Sequence, residues 1–346
     1  MPNRVRWNGE AGPFYEVWYF IIQRPATAEA FWIRYTLLNP RDDRPEAGGG
    51  LWFAYARRGD PDAGFAIHKR YPGSALEAVP GAVDLGIGEA RLGPRRLKGG
   101  FETDGHAVSW DLTYEESPAP HYYFGPLLRG AMENRTSVTL PNPRAFFRGR
   151  VCFDGREATL DGDVGHQAHH WGRERARGWR WAHCAFFQDG HEAVFEALAA
   201  DKPPLPTLTF LRLADGGSVD RTSLLAALRN RAEVESGVWR FVGNGLRQRL
   251  EVELTCDPRA LLRFAYHSPR YELSYCYNSP VADARVRLYR RSSPFASWVL
   301  ARELRAEGTA NAEIVVPAEE DRLYGSNQPS AVSTQPEEKR LPPADR

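Results

Sequence analysis

Apolar and aromatic residues along the chain fall into short runs of Trp, Tyr, Phe, Val and Ile, broken by Gly, Pro and Asp. Such runs occupy 16–22, 30–38, 51–56, 64–70, 107–114, 145–153, 179–187, 205–213, 245–255, 271–278 and 284–289. Several alternate cleanly. In Trp179, Trp181, His183, Ala185 and Phe187, every second residue falls on one side of a strand. Asp154-Gly155 and Asp189-Gly190 each stand between two runs, as hairpin turns do. Helical spacing is scarce: 222–232 is the one segment that carries it, with Thr222 or Ser223 as N-cap. The pattern predicts an all-β chain with little helix.

The two halves read as variants of one pattern. Glu16-Val17-Trp18-Tyr19-Phe20 followed by Phe31-Trp32-Ile33-Arg34-Tyr35-Thr36 is echoed by His169-His170-Trp171-Gly172 and then Trp179-Arg180-Trp181-Ala182-His183-Cys184. Ser109-Trp110-Asp111-Leu112-Thr113 is echoed by Glu251-Val252-Glu253-Leu254-Thr255. A tandem duplication predicts about eight to ten strands per half, enough to close a barrel and remove its edges. A barrel of that size can hold one small ligand. The boundaries expected are 1–160 for the first barrel, 161–318 for the second and 319–346 for a disordered tail, where Ser, Pro, Gln and charged residues leave little to bury.

Charge excludes some partners. With 45 Lys and Arg against 44 Asp and Glu, the formal charge of +1 gives no electrostatic footprint for nucleic acid or an anionic membrane. No stretch approaches the roughly 18 apolar residues of a transmembrane helix. Met1–Trp7 has no apolar run or small-residue cleavage site, so no secretory signal is expected. The 4 scattered cysteines form no C-x-x-C pair, so a reduced, cytoplasmic setting is expected.

The densest polar chemistry lies in Gly165-His166-Gln167-Ala168-His169-His170-Trp171-Gly172 and Trp179–Cys184, which hold four of the nine histidines. If both segments are strands joined by 173–178, His166 and His170 share one face and His169 the other. Three readings stay open: core imidazoles satisfied by their neighbours; a metal site of His166, His170, His183 and Cys184; or a proton-transfer site between indole walls. The second lacks any dedicated ligand signature, and no metal is expected. In the first half, Glu16 and Arg34 read either as a buried ion pair or as an acid of raised pKa beside a substrate-orienting cation. Asn278 reads as a turn former or a pocket hydrogen-bonder. Gly48-Gly49-Gly50 reads as a flexible turn.

Taken together, Glu16–Phe20, Phe31–Thr36, Gly165-His166…Trp171-Gly172 and Trp179-x-Trp181-x-His183-Cys184 resemble the AttH-like and CrtC-like group. Its members carry tandem lipocalin-like (calycin) domains and include hydroxyneurosporene synthase, a carotenoid hydratase. Tocopherol cyclases and lipocalin-like Diels–Alderases are more distant likenesses. The resemblance implies two β-barrels that bind a hydrophobic small molecule in or between them, and hydration, cyclisation or isomerisation without a cofactor. The expected substrate is isoprenoid- or polyketide-like. Catalytic candidates are His166, His170, His183 and Glu16. Substrate-binding candidates are Trp18, Tyr19, Arg34, Trp52, Trp171, Trp179, Trp181 and Asn278. A non-catalytic binder or carrier using the same pocket is the alternative.

Overall fold

The computed structural model describes residues 2–10, 12–39, 48–117, 119–123, 129–130, 135–189, 192–215, 219–270 and 272–321. Twelve strands build a first sheet: β1 (Phe14–Arg24), β2 (Glu29–Asn39), β3 (Gly48–Arg57), β4 (Asp60–Pro72), β5 (Leu76–Ala78), β6 (Leu85–Ile87), β7 (Ala90–Gly93), β8 (Arg96–Thr103), β9 (His106–Glu115), β10 (His121–Tyr122), β11 (Ser137–Phe153) and β12 (Arg156–Gly172). Ten more build a second: β13 (Gly178–Cys184), β14 (Val194–Asp201), β15 (Leu208–Ala214), β16 (Val219–Arg221), β17 (Arg231–Glu235), β18 (Val238–Asn244), β19 (Gln248–Thr255), β20 (Leu262–His267), β21 (Leu273–Arg290) and β22 (Val299–Pro317). A short helix, α1 (Leu224–Arg229), is capped by the Ser223 side chain accepting from Ala226 N.

The order across the first sheet is β4-β3-β2-β1-β12-β11-β9-β8-β7-β6-β5, and across the second β16-β15-β14-β13-β22-β21-β19-β18-β17. The two orders match strand for strand from β4 and β16 to β7 and β17. Even the side strands match, because β10 pairs with β11 and β20 with β21. The first sheet merely adds β5 and β6. The all-β fold and its internal pseudo-symmetry thus appear as expected. The sequence echo was only partly aligned: β9 and β19 correspond, but β13 is the counterpart of β1, and His169–Gly172 belongs to the closing strand β12. Several strands carry Trp and His on the same face, so composition matched where topology did not.

Local pattern explains the strands. In β9, Val108, Trp110, Leu112 and Tyr114 are buried while Ala107, Ser109, Thr113 and Glu115 are exposed. In β1, by contrast, ten consecutive residues are buried, because both faces of the strand are covered. One face packs into the first core with Trp18, Phe20, Phe53 and Trp110. The other meets the second sheet in a cluster that includes Tyr19, Trp32, Trp181, Phe264 and Tyr266. A third cluster, with Trp239, Phe241 and Tyr277, fills the second sheet. Side chains therefore occupy both interiors.

Three expectations need correction. β12 runs through Leu160, so the chain changes sheet between Gly172 and Gly178. Consequently 173–178 is no hairpin turn: β12 pairs with β1 and β11, whereas β13 pairs with β14 and β22. Gly48-Gly49-Gly50 is strand, the start of β3. At the end of the second sheet, Glu319 and Asp321 are held by Arg177 and Arg263, while 322–346, most of the expected tail, lies outside the described residues.

Candidate functional site

Strand parity sorts the candidate residues between two places. On β1 and β12, Trp18 stands opposite His169 and Glu16 opposite Trp171, all facing the interior of the first sheet. Tyr19 stands opposite Ala168, between His166 and His170, on the face toward the second sheet. Arg34 lies across from Tyr19, whereas Glu16 lies across from Leu37. Glu16 and Arg34 are therefore on opposite faces, and the ion pair read from sequence does not exist.

The inner group is a closed hydrogen-bond network. Glu16 accepts from Arg6 N at 2.8 Å and Trp7 N at 2.9 Å, and pairs with His169 Nε2 at 2.8 Å. His169 Nδ1 bonds the Pro2 carbonyl at 2.9 Å, and its ring stacks on Trp18 with centroids 4.8 Å apart. Trp18 Nε1 donates to Asn3 O, while Trp171 packs with Phe14 and Leu37. Glu16, Trp18 and Trp171, expected in the pocket, instead fasten the first residues of the chain over the first core.

The outer group gathers the remaining candidates. On β13, Trp179, Trp181 and His183 project toward the first sheet, while Ala182 and Cys184 join the second core. The His166 and His183 rings lie 3.9 Å apart, and Trp181 lies 5.5 Å from His166 and 5.9 Å from Tyr19. Tyr19 also meets His170 edge-on at 5.3 Å. Arg34 and Trp52 sit at the far end of this seam, against Tyr266. Asn278 is no turn residue: it lies mid-strand in β21 and donates to Glu313 Oε2 at 3.1 Å. Trp179 Nε1 donates to the other Glu313 oxygen at 2.6 Å.

Sequence reasoning missed Glu196, which the register of β13 and β14 sets directly across from His183. Tyr123 Oη and Trp181 Nε1 both donate to its Oε1. Its Oε2 has no hydrogen-bond partner among the described residues and lies 3.9 Å from His183 Nε2. Burial drives the Glu196 pKa well above the carboxylate range, and the Arg212 charge offsets only part of this. With two donors on Oε1, the proton of the neutral acid belongs on Oε2. A single carboxylate inside the apolar run Val194-Phe195-Glu196-Ala197-Leu198 was the available signal; Glu313, within Ala312-Glu313-Ile314-Val315, offers the same one.

The imidazoles around it are neutral. His183 donates Nε2–H to the Pro143 carbonyl at 2.9 Å, which leaves Nδ1 a bare lone pair. Burial lowers its pKa to about 3, with a further push from His121. His170 is likewise lowered to about 3 by burial and then by the Arg34 charge. His166, fully buried, falls well below its usual value through burial and the facing His183. Neither His166 nitrogen has a partner among the described residues, nor do His170 Nε2 and both side-chain polar atoms of Asn311. Native interiors rarely leave so many polar atoms unsatisfied in one place. No group of three His, Cys, Asp or Glu among the described residues is arranged to hold a metal. No helix among them is long and apolar enough to cross a membrane.

Solved structures share this arrangement of sheets. An AttH candidate from Nitrosomonas europaea superposes with a TM-score of 0.53 at 12% identity, over 90% of this chain and 94% of that one. Kievitone hydratase from Nectria haematococca gives a TM-score of 0.50 at 12% identity, over 90% and 91%. The fold is AttH-like and lipocalin-like. No family model matches the chain. Two curated relatives, the uncharacterized proteins Rv0493c and MT0513 of Mycobacterium tuberculosis strains H37Rv and CDC 1551, are each 27% identical over 291 residues, covering 82% of this chain and 83% of their own. Within the AttH-like fold, the seam between the sheets is where this chain concentrates its unsatisfied polar groups.

Proposed function

We propose that the protein is a hydratase-type enzyme that adds water across a double bond of a hydrophobic, isoprenoid- or polyketide-like small molecule held between its two sheets. The observation that carries this reading is the buried Glu196 carboxyl, with Oε2 unpartnered among the described residues, beside His183 Nδ1 and both His166 nitrogens, which are equally unpartnered; burial raises the acid's pKa and lowers those of the imidazoles. One structural neighbour, kievitone hydratase, has the same fold, which supports this reading.

Glu196 Oε2–H gives its proton to one alkene carbon, and the faces of Trp181 and Tyr19 stabilise the positive charge that develops on the other. Water adds to that carbon, and its spare proton passes through His183 Nδ1 or His166 back to the Glu196 carboxylate. One water is consumed and the enzyme is restored, so the sequence needs no cofactor. Capture of the same cation by a second double bond gives cyclisation, and loss of a proton gives isomerisation. The imidazoles, uncharged near neutral pH, act as acceptors in this scheme, and the acid role passes from histidine to Glu196.

The test is incubation of the purified protein with prenylated aromatic and polyene alkenes in H2(18)O, read by mass spectrometry. The expected product has gained one labelled water, and Glu196→Gln lowers its formation by about 10²–10⁴-fold while the protein stays folded. Full product formation by Glu196→Gln would contradict the mechanism. If alkenes bind with no product from any of them, the carrier reading takes its place.

A further inference from the structure

At the far end of the seam, β2, β3, β4 and β20 enclose a cleft of about 270 Å³. Arg34, Arg70, His68 and His267 line it, and no Asp or Glu appears among its described lining residues. Arg34 is 7% exposed. Its Nε donates to Thr36 Oγ1 at 2.9 Å, and its guanidinium lies 4.4 Å from the Tyr266 ring and 5.1 Å from Trp52. No carboxylate among the described residues pairs with it. A guanidinium buried without a direct ion pair is costly; the Glu313 carboxylate acts on the same Tyr266 ring from the seam side, and an anion entering the cleft relieves the rest of the cost.

Two further features point into the same space. Trp52 Nε1, buried, has no acceptor among the described residues. Gly50, opposite Thr36 on the cleft side of β3, keeps that donor approachable, since a Cβ there would stand 3.3 Å from Trp52 Nε1. Behind Tyr266, the Arg175 guanidinium lies 5.2 Å from the ring and adds positive potential. The field registers on the two cleft imidazoles: after burial, the Arg70 charge is the next cause lowering both His68 and His267 to about 4.

We infer that this cleft is a carboxylate subsite, and that the substrate of the reaction proposed above is an amphipathic carboxylic acid whose head group Arg34 holds while its apolar body reaches toward Trp181. The inference rests on that proposed reaction for its apolar end only. From Arg34 on β2 through Tyr19 on β1 to Ala168 on β12 is two strand spacings, about 10 Å. An acid anchored at Arg34 thereby brings its mid-chain atoms, not its head, to His166, His183 and Glu196. A planar guanidinium fork suits a carboxylate held by two parallel hydrogen bonds.

The test is a fluorescence titration of the full chain with cis-parinaric acid, a conjugated polyene fatty acid, and with its methyl ester. Energy transfer from tryptophan reads the binding of both. The acid should bind about 10–100-fold more tightly than the ester, as a charge-assisted hydrogen bond requires. Arg34→Met should bring the acid to the ester's affinity. Arg70→Met, at an exposed position that folding tolerates, should weaken the acid alone by a few fold. Equal binding of acid and ester by the unmodified protein would overturn the subsite and leave the acid–base cluster standing. An acid preference that survives in folded Arg34→Met would do the same. Binding of neither probe would overturn the subsite and the pocket together. Stronger displacement of the probe by dodecyl phosphate than by dodecanoate would assign the subsite to phosphate and overturn the carboxylate.

Discussion

β1 and β12 face a carboxylate–imidazole cluster on each side of their sheet, the outer one completed by His183 and Glu196 from the second sheet, and the two clusters have opposite characters. On the inner side, Glu16 and His169 satisfy every strong partner they have, through Arg6 N, Trp7 N, Pro2 O and each other. On the outer side, His166, His170 and His183 on the imidazole part and Glu196 on the acid part each keep a polar atom without a partner among the described residues. Residue type is the same in both, and Glu16, His169, His166, His183 and Glu196 are all buried, with only His170 half-buried. Satisfaction is what separates a structural polar cluster from one left ready for a substrate.

The largest effect should come from breaking the inner cluster. Glu16→Ala strands two backbone amides and the His169 ring in a buried site, and is expected to lower stability by about 3–5 kcal/mol in urea unfolding. A loss under about 1 kcal/mol would mean that the closed network does not hold the first residues of the chain in place.

Glu196→Gln should do the reverse. Burial raises the Glu196 pKa, so above about 4.5 the native protein holds this proton more tightly than the unfolded chain does, and native stability declines as pH rises past that value toward the raised folded pKa. Glutamine removes this dependence and still accepts from Trp181 Nε1 and Tyr123 Oη. The variant should match or exceed the parent's melting temperature at about pH 8. A marked fall would place Glu196 with Glu16 as a structural group.

The acid limb of stability sharpens the contrast, and close to neutral pH its effect is the smallest of the three. His170 and His183 are lowered to about 3 and His121 to about 4, chiefly by burial. The unfolded chain takes up protons below about 6.5, where these native rings do not. Each ring therefore removes up to about 1.4 kcal/mol per pH unit as pH falls from 6.5 toward its folded value. His183→Asn should flatten that limb by one ring's share. An unchanged slope would show that His183 already carries a proton in the native protein.

Much of this was legible in the chain. Alternation marked the strands, and the parity of β12 correctly divided His169 from His166 and His170. Trp179, Trp181 and His183 share one face as their spacing required. What sequence spacing could not supply was pairing between distant strands. Glu16 and Arg34 looked like partners because their strands are adjacent, yet the β1–β2 register puts them on opposite faces, a matter decided by one residue. The segment 173–178 looked like a hairpin turn but crosses between sheets. Glu196 escaped notice because its meaning depends on facing His183 and on two donors, Tyr123 and Trp181, that arrive from elsewhere in the chain. Trp18 and Trp171 were read as pocket walls, although the inner face needed large rings as much as the outer one did.

The central claim is that the outer imidazoles are held neutral with bare lone pairs, and histidine side-chain 15N NMR reads this directly. Across a titration from about pH 8 to pH 5, with His183→Asn used to assign the signal, His183 should remain a neutral imidazole with its proton on Nε2 and an Nδ1 shift typical of a free lone pair. An imidazolium signal for His183 near pH 6, or a proton on Nδ1, would contradict the account.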